Sequence, residues 1–296
     1  MASLSARIVD SLLRMLQVNR LGNHFFEKLY PYISTNCKPL GGLRRRHELS
    51  EYSLQGRPVY TIQPRDQIAS RHVLYLHGGA YFNGFLPVQW QFVDRLITAA
   101  NCSVTAPDTP LAPKSSSRDI FAMVQPIYEE LLREVGSENL IVMGDSSGGG
   151  LALALMMKAR DKGLDQPKDL ILLSPWLDVT MTNPDIPGVA QNDPYLGLKA
   201  CIVAGQRYAQ EDDPTDPSIS PIYGDLRGLC PIHLFVGTHD IMLPDCRKLR
   251  NLADLAGASL NYREYPKMIH DWMMLNLPES QNALQQIVAI VNSNGA

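Results

Sequence analysis

Serine, aspartate and histidine occur in this chain in the order nucleophile, orienting acid, base, the order expected when the three sit at the strand ends of an alternating strand–helix sheet. Gly144-Asp145-Ser146-Ser147-Gly148 fits the pattern G-x-S-x-G, in which a serine sits on a sharp turn between a strand and a helix. Ser147 would need glycine at position 145, where Asp145 stands, so Ser146 is the candidate nucleophile. A serine needs a base, and three histidines follow it: His233, His239 and His270. His233 lies inside an apolar strand pattern and His239 directly precedes an acid in one loop. His270 follows the last strand, where a loop can return over the sheet edge. We therefore assign the base to His270. Asp240 ends the preceding strand and can accept a hydrogen bond from the imidazole, fixing its tautomer and stabilising the imidazolium. Asp245 is the second choice for the acid, although its place just after Pro244 also suits a helix N-terminal charge. This constellation does acyl transfer, and its base is expected to titrate in a single step near neutrality.

An oxyanion needs aimed donors, each worth about 3 to 4 kcal/mol when removed. Gly78 and Gly79, following a short apolar strand, offer backbone N–H groups that can approach a substrate closely, and the N–H of Ser147 is a third. Trp176, Tyr81 and Phe82 follow strand ends and are candidates for the substrate pocket.

The elements that must hold these groups alternate between strand and helix. Apolar stripes at helical spacing cover residues 3–18, and a second helix is expected over residues 23–30, stopping at Pro31. Residues 46–63 read as a hairpin turning at Gln55-Gly56-Arg57-Pro58. Strands follow at 72–76, 102–106, 140–143, 169–173, 232–236 and 259–265. Helices are expected at 88–100, 117–135, after Ser146, 196–208, 244–256 and 279–291. The pattern implies an α/β fold, with a mostly parallel central sheet of about eight strands covered by helices on both faces. Functional groups in such a sheet gather at the carboxyl ends of the strands. Residues 46–296 form the catalytic domain. Residues 1–45 and 178–220 fall outside the alternation and are the candidates for a helical cap. Gly149 and Gly150 are expected to let the helix after Ser146 pack closely on its neighbours.

Composition narrows the partners. The 296 residues carry 45% hydrophobic and 19% charged side chains, ordinary globular values. A formal net charge of −3 makes no electrostatic case for nucleic acid or an anionic membrane. Arg44-Arg45-Arg46 reads as a solvated turn. The five cysteines are scattered without zinc-site spacing, which fits reduced thiols in a reducing compartment. Arg7, Asp10 and Arg14 interrupt the apolar start, so no signal peptide is expected, nor a membrane span. Cytoplasmic location is the expectation, and a homodimer is compatible with it.

HGGAYFNG, GDSSGGG, SPWLD, the long stretch DPSISPIYGDLRGLCPIHLFVGTHDIMLPD and IHDW, in that order over residues 70–290, resemble the hormone-sensitive-lipase-like carboxylesterases of the α/β-hydrolase fold. The resemblance implies a carboxylesterase acting on small-molecule acyl esters of short to medium chain length. It implies a Ser–His–Asp triad without a cofactor or metal, and a cap from the N-terminal helices plus the helix near 196–208. The departures are local. The family's usual HGGG reads His77-Gly78-Gly79-Ala80, which keeps both glycine donors. Asp108-Thr109-Pro110-Leu111-Ala112-Pro113-Lys114 replaces a tyrosine-containing D-Y-R-L-A-P-E. The usual H-G-F reads His270-Asp271-Trp272, placing a carboxylate beside the base, where it can raise the His270 pKa.

A chymotrypsin-like protease fails on architecture and chain order despite the GDSSGG string. A peptidase or amidase on the same scaffold, and a ligand-binding module without catalysis, remain the alternative readings.

Overall fold

The computed structural model describes residues 2–28 and 36–293. Two helices open the chain, α1 (Leu4–Met15) and α2 (Val18–Lys28), then a short α3 (Gly41–Arg46) leads into the hairpin β1 (His47–Leu54) and β2 (Arg57–Pro64). The alternating part runs β3 (His72–Leu76), α4 (Pro87–Ala100), β4 (Ser103–Pro107), α5 (Ser117–Val135), β5 (Leu140–Asp145), α6 (Ser146–Asp161) and β6 (Asp169–Leu173). Then come α7 (Ile186–Ala190), α8 (Leu198–Ala209), β7 (Ile232–His239), α9 (Leu243–Ala256), β8 (Leu260–Ile269) and α10 (Pro278–Asn292).

Among the described residues the strands form one eight-stranded sheet in the order β1-β2-β4-β3-β5-β6-β7-β8. β1 and β2 are antiparallel, β2 meets β4 antiparallel, and every pair from β4 to β8 is parallel. Every residue of β3, β4, β5 and β6 is buried. That is why these strands are short, nearly continuous apolar runs: both faces are covered. The two-residue period sends alternate side chains to opposite cores. Leu74, Leu76, Leu140 and Val142 join the layer with α5, α6 and α9, whereas Val73, Tyr75, Ile141 and Met143 join the layer with α4 and α10. Full burial of each such side chain is worth about 1.5–3 kcal/mol. The hairpin turns where expected, with Gln55 and Gly56 at φ 53° and 74°; two consecutive left-handed residues make the turn that matches strand twist.

The structure departs from the sequence reading in several places. The second helix begins at Val18 instead of residue 23, because the break after α1 is only Leu16 and the left-handed Gln17, at φ 52°. The expected stop at Pro31 lies outside the described residues. Arg44-Arg45-Arg46 end the helix α3 and stay exposed, so the cluster is solvated but is not a turn. Residues 178–220 hold the additional short helix α7. β7 and β8 continue to His239 and Ile269 because their parallel ladder persists beyond the apolar run, through an irregularity between Gly237 and His239. Among the described residues no helix is long and apolar enough to cross a membrane.

Candidate active site

β5 runs directly into α6, with no residue between Asp145 and Ser146. Asp145 is still extended, at φ −107° and ψ 145°, and Ser146 takes φ 51°. A left-handed non-glycine residue costs of order 1–3 kcal/mol and persists only where its surroundings hold it. The glycines around it explain how. A Cβ on Gly144 would collide with Gly148 O, and one on Gly148 with Leu76 O. One on Gly149 would lie 2.8 Å from Pro175 Cβ, and one on Gly150 would collide with Trp176 O. The four glycines therefore let α6 start against β3 and the loop after β6. The Trp176 N–H donates to Ser146 O at 2.8 Å, fixing the turn from that loop.

Ser146, Asp240 and His270 converge although 124 residues separate the first from the last. Nε2 of His270 lies 2.9 Å from Ser146 Oγ. Nδ1 lies 3.0 and 3.1 Å from the two carboxylate oxygens of Asp240. With the proton on Nδ1, the ring donates to Asp240 and its Nε2 accepts from the serine hydroxyl. All three residues are buried, at 8%, 0% and 4% exposure, so water competes little for these bonds. The extension of β7 and β8 beyond their apolar runs carries Asp240 and His270 to the same sheet edge. His233 instead sits in β7 with Nε2 2.9 Å from Asp169, and His239 faces Asp10 at 3.2 Å. Asp245 lies in the first turn of α9 and accepts from Asn183 Nδ2 at 2.8 Å.

The loop after β3 reaches the serine. A Cβ on Gly78 would sit 2.8 Å from Asp145 O and 2.9 Å from Ser146 Cβ, so glycine is what lets this backbone approach. Gly79 has φ 132°, Ala80 56° and Tyr81 58°, and Gly79 O accepts the N–H groups of Phe82 and Asn83. His77 ties the loop down: Nδ1 lies 2.8 Å from Gly78 O, and Nε2 accepts from the Thr109 N–H at 3.3 Å. Burial pulls its pKa down, which suits this neutral arrangement. The Tyr81 N–H donates to Ser147 Oγ at 3.3 Å.

Several partners carry no sequence signature. Asp145 is held by the Tyr75 hydroxyl at 2.5 Å and by Gln89 Nε2 at 2.8 Å; Gln89 also donates to Gly78 O at 3.3 Å. Asp193 accepts from Tyr195 and Leu196 in its own segment and from the Ile241 N–H, next to Asp240. Burial and the nearby Asp240 raise its pKa to about 6. Asp271 brings Oδ2 to 3.3 Å from His270 Nε2. Burial pulls the His270 pKa down, but Asp240 and Asp271 outweigh it and raise it to about 10.

A cavity of about 210 Å³ opens against His270, with Val9 and Leu13 of α1, Leu86, Val88, Met274 and Leu275 among its apolar walls. Gln89, Asp145, Tyr195, His270 and Asp271 supply its polar side. Trp176 and Tyr81 are packed elsewhere: the indole N–H donates to Asp178 O at 2.9 Å, and Tyr81 stacks on Tyr208 with ring centroids 3.6 Å apart. Phe82 borders a larger cavity of about 520 Å³, with Gln55, Arg57 and Pro110, whose lining includes none of Ser146, Asp240 and His270. Among the described residues no group of three or more His, Cys, Asp or Glu is placed to hold a metal ion.

A profile of the alpha/beta hydrolase fold matches residues 73–274. An esterase of Acinetobacter venetianus is 31% identical over 229 residues, 76% of this chain and 76% of that protein. An acetyl-hydrolase of Streptomyces hygroscopicus is 30% identical over 218 residues, 73% of each. Among solved structures, the hormone-sensitive lipase homologue EstE7 from a metagenome library superposes with a TM-score of 0.84 at 25% identity, covering 100% of both chains. The chain belongs to the alpha/beta hydrolase fold family, in its hormone-sensitive-lipase-like branch.

Proposed function

We propose that the protein is a serine carboxylesterase that hydrolyses short- to medium-chain acyl esters through an acyl-enzyme. The observation that carries this reading is the position of one imidazole, with Nδ1 3.0 Å from Asp240 and Nε2 2.9 Å from Ser146 Oγ. His270 takes the Ser146 proton while Oγ attacks the ester carbonyl, and the imidazolium then gives that proton to the departing alcohol. A water activated by the same nitrogen hydrolyses the acyl-enzyme. Asp240 keeps the tautomer and stabilises the imidazolium in both halves. The N–H groups of Gly78, Gly79 and Ser147 receive the oxyanion; the approach of Gly78 to Ser146 and the position of Ser147 at the start of α6 support that assignment.

Residues 1–45 and 178–220 act as the cap. Asn19 Nδ2 donates to Asp193 O at 2.9 Å and the Ala200 N–H donates to Asn23 Oδ1 at 2.9 Å, so the two segments are joined. The cavity against His270, walled partly by α1, takes one of the substrate's two arms. The relatives named esterase and acetyl-hydrolase support the ester substrate and a small acyl group. A rate profile over p-nitrophenyl esters of increasing acyl length, with an anilide and a peptide included, tests this reading. Turnover of short esters with none of the amides is expected; preferential cleavage of the amides contradicts it.

A further inference from the structure

His270 has a carboxylate at each ring nitrogen. Asp240 is the partner of Nδ1. At Nε2, the nitrogen 2.9 Å from Ser146 Oγ, Asp271 brings Oδ2 to 3.3 Å. Asp271 is the second residue past β8, after His270, and is left-handed, at φ 51° and ψ 32°, so the chain turns back here. Its N–H donates to Ser174 Oγ at 3.3 Å, and its carbonyl accepts the Met274 N–H at 3.0 Å. Its Oδ1 is buried without a hydrogen bond. An ionised carboxylate with one bare, buried oxygen is costly unless a cation or a proton compensates it. The group within reach of its other oxygen is the imidazole.

We propose that Asp271 and His270 hold one proton in common at Nε2, and that release of this shared proton is what turns the base on. The proposal rests on the esterase reading above and deepens it. The proton count is the same in both forms of the pair: imidazolium N–H facing a carboxylate, or imidazole nitrogen facing a carboxyl O–H. In either form the Nε2 lone pair is engaged and cannot take the Ser146 proton. When the shared proton leaves to solvent, His270 is neutral with its N–H on Asp240, Asp271 is ionised, and Nε2 is open to the serine. Once the serine proton has moved, the new imidazolium lies between two carboxylates.

The surroundings favour keeping the shared proton. Ser146 faces the pair from the start of α6, and Tyr195 stacks on the imidazole with centroids 6.3 Å apart. Asp145, at the end of β5, borders the same cavity, with its oxygens on Tyr75 and Gln89. Asp240 and Asp193 lie on the Nδ1 side, and α1 contributes apolar Val9 and Leu13. Burial, and after it Asp145 and Asp240, push the Asp271 carboxyl well above the usual carboxylate range, while the positive form of His270 opposes this. Both members of the pair are thus biased toward holding a proton.

The test is the pH dependence of kcat/KM on p-nitrophenyl acetate for the wild type, Asp271→Asn and Asp271→Gly. Asn fits the left-handed backbone and matches the shape of Asp without taking up the proton; Gly removes the side chain. Both variants are expected to move the acid limb down by at least about one pH unit, so that each exceeds the wild type about tenfold at pH 6. A gain at low pH cannot come from a folding defect. An unmoved limb in both variants, with or without a lower rate, overturns the proposal. Should neither variant fold, ¹⁵N NMR of the histidine rings in the wild type decides: titration of His270 at or below about 6.5 overturns it and titration well above supports it. Ser146→Ala, measured alongside, separates the two levels. If Ser146→Ala keeps wild-type turnover, the esterase mechanism itself has failed. If it is inactive and the Asp271 limbs have not moved, only the role of Asp271 is lost.

Discussion

Asp193 and Ile241 stand 48 residues apart in sequence, and the Ile241 N–H donates to Asp193 Oδ2 at 2.9 Å. Through this bond the segment after β6 holds the residue next to Asp240. The other oxygen of Asp193 accepts from Tyr195 and Leu196 at 2.8 and 2.9 Å, so one carboxylate fixes both sides of the contact.

Asp193→Asn is expected to break the contact selectively. The amide oxygen can serve Tyr195 and Leu196, but the NH2 group then confronts the Ile241 N–H. A buried N–H left without an acceptor costs about 1–3 kcal/mol, and a displaced acid lowers kcat/KM by at least about tenfold. Thermal melts and steady-state rates check this. Asp193 also carries a pH signature. Its folded pKa of about 6 lies above the unfolded value of about 3.9. Its contribution to stability is therefore fully present below about 3.9 and lost as pH rises through about 6. The Asn variant is expected to lose this share of the slope of Tm against pH. Wild-type Tm and rate in Asp193→Asn would contradict the account.

The pH–rate profile of the wild type is expected to rise above neutrality. The sequence alone leads to an ionisation near neutrality; burial lowers the His270 pKa, but Asp240 and Asp271 more than reverse this and raise it to about 10. The neutral base is the active form, so kcat/KM increases as pH rises through that region. For stability the sign is the same as for any raised pKa. The contribution of His270 is fully present below its unfolded value of about 6.5 and is lost as pH rises through about 10. His270→Ala is expected to flatten the fall of Tm over that interval. An acid limb at or below about 6.5 in the wild type would contradict this electrostatic account.

Gly148→Ala is expected to destabilise the protein by at least about 2 kcal/mol, because the added methyl group meets backbone, Leu76 O, which cannot swing aside. Gly188→Ala in α7 is the control: its Cβ meets no atom within 4 Å, and alanine is the better helix former. Urea unfolding of the two variants is expected to separate them clearly. Equal stabilities would mean that the turn at Ser146 is not held by this close approach.

Leu13→Trp is expected to narrow the cavity that α1 walls beside His270. The ratio of kcat/KM for p-nitrophenyl hexanoate over acetate is expected to fall at least about tenfold, since each methylene lost from an apolar pocket is worth about 1–3 kcal/mol. An unchanged ratio would remove this cavity from substrate recognition.

The fold was legible because burial on both faces leaves a visible trace. β3, β5 and β6 are nearly continuous apolar runs, and β3 and β5 each lead to a helix pattern. The serine turn was legible for a steric reason, since Gly144 and Gly148 stand where a side chain would strike backbone. Gly149 and Gly150, expected to serve close packing, meet Pro175 and Trp176. Groups whose role depends on a distant partner were not legible. Asp193 in a Pro- and Asp-rich segment looks like any turn residue until Ile241 is placed beside it. Gln89 and Tyr75 lie within an ordinary helix and strand, and their contact with Asp145 is purely tertiary. Their place after strand ends makes Trp176 and Tyr81 candidates for the pocket, yet chain position does not say which way a ring turns. Here both pack in the core layer that contains α6.

The central claim is that Ser146 is the nucleophile activated by His270, and active-site titration with an organophosphate tests it most directly. The expected result is one equivalent of phosphoryl group on the Ser146 peptide, loss of esterase activity in proportion, no labelling of Ser146→Ala and greatly slowed labelling of His270→Ala. Esterase activity that survives in Ser146→Ala, or a stoichiometric label on any other residue, would contradict it.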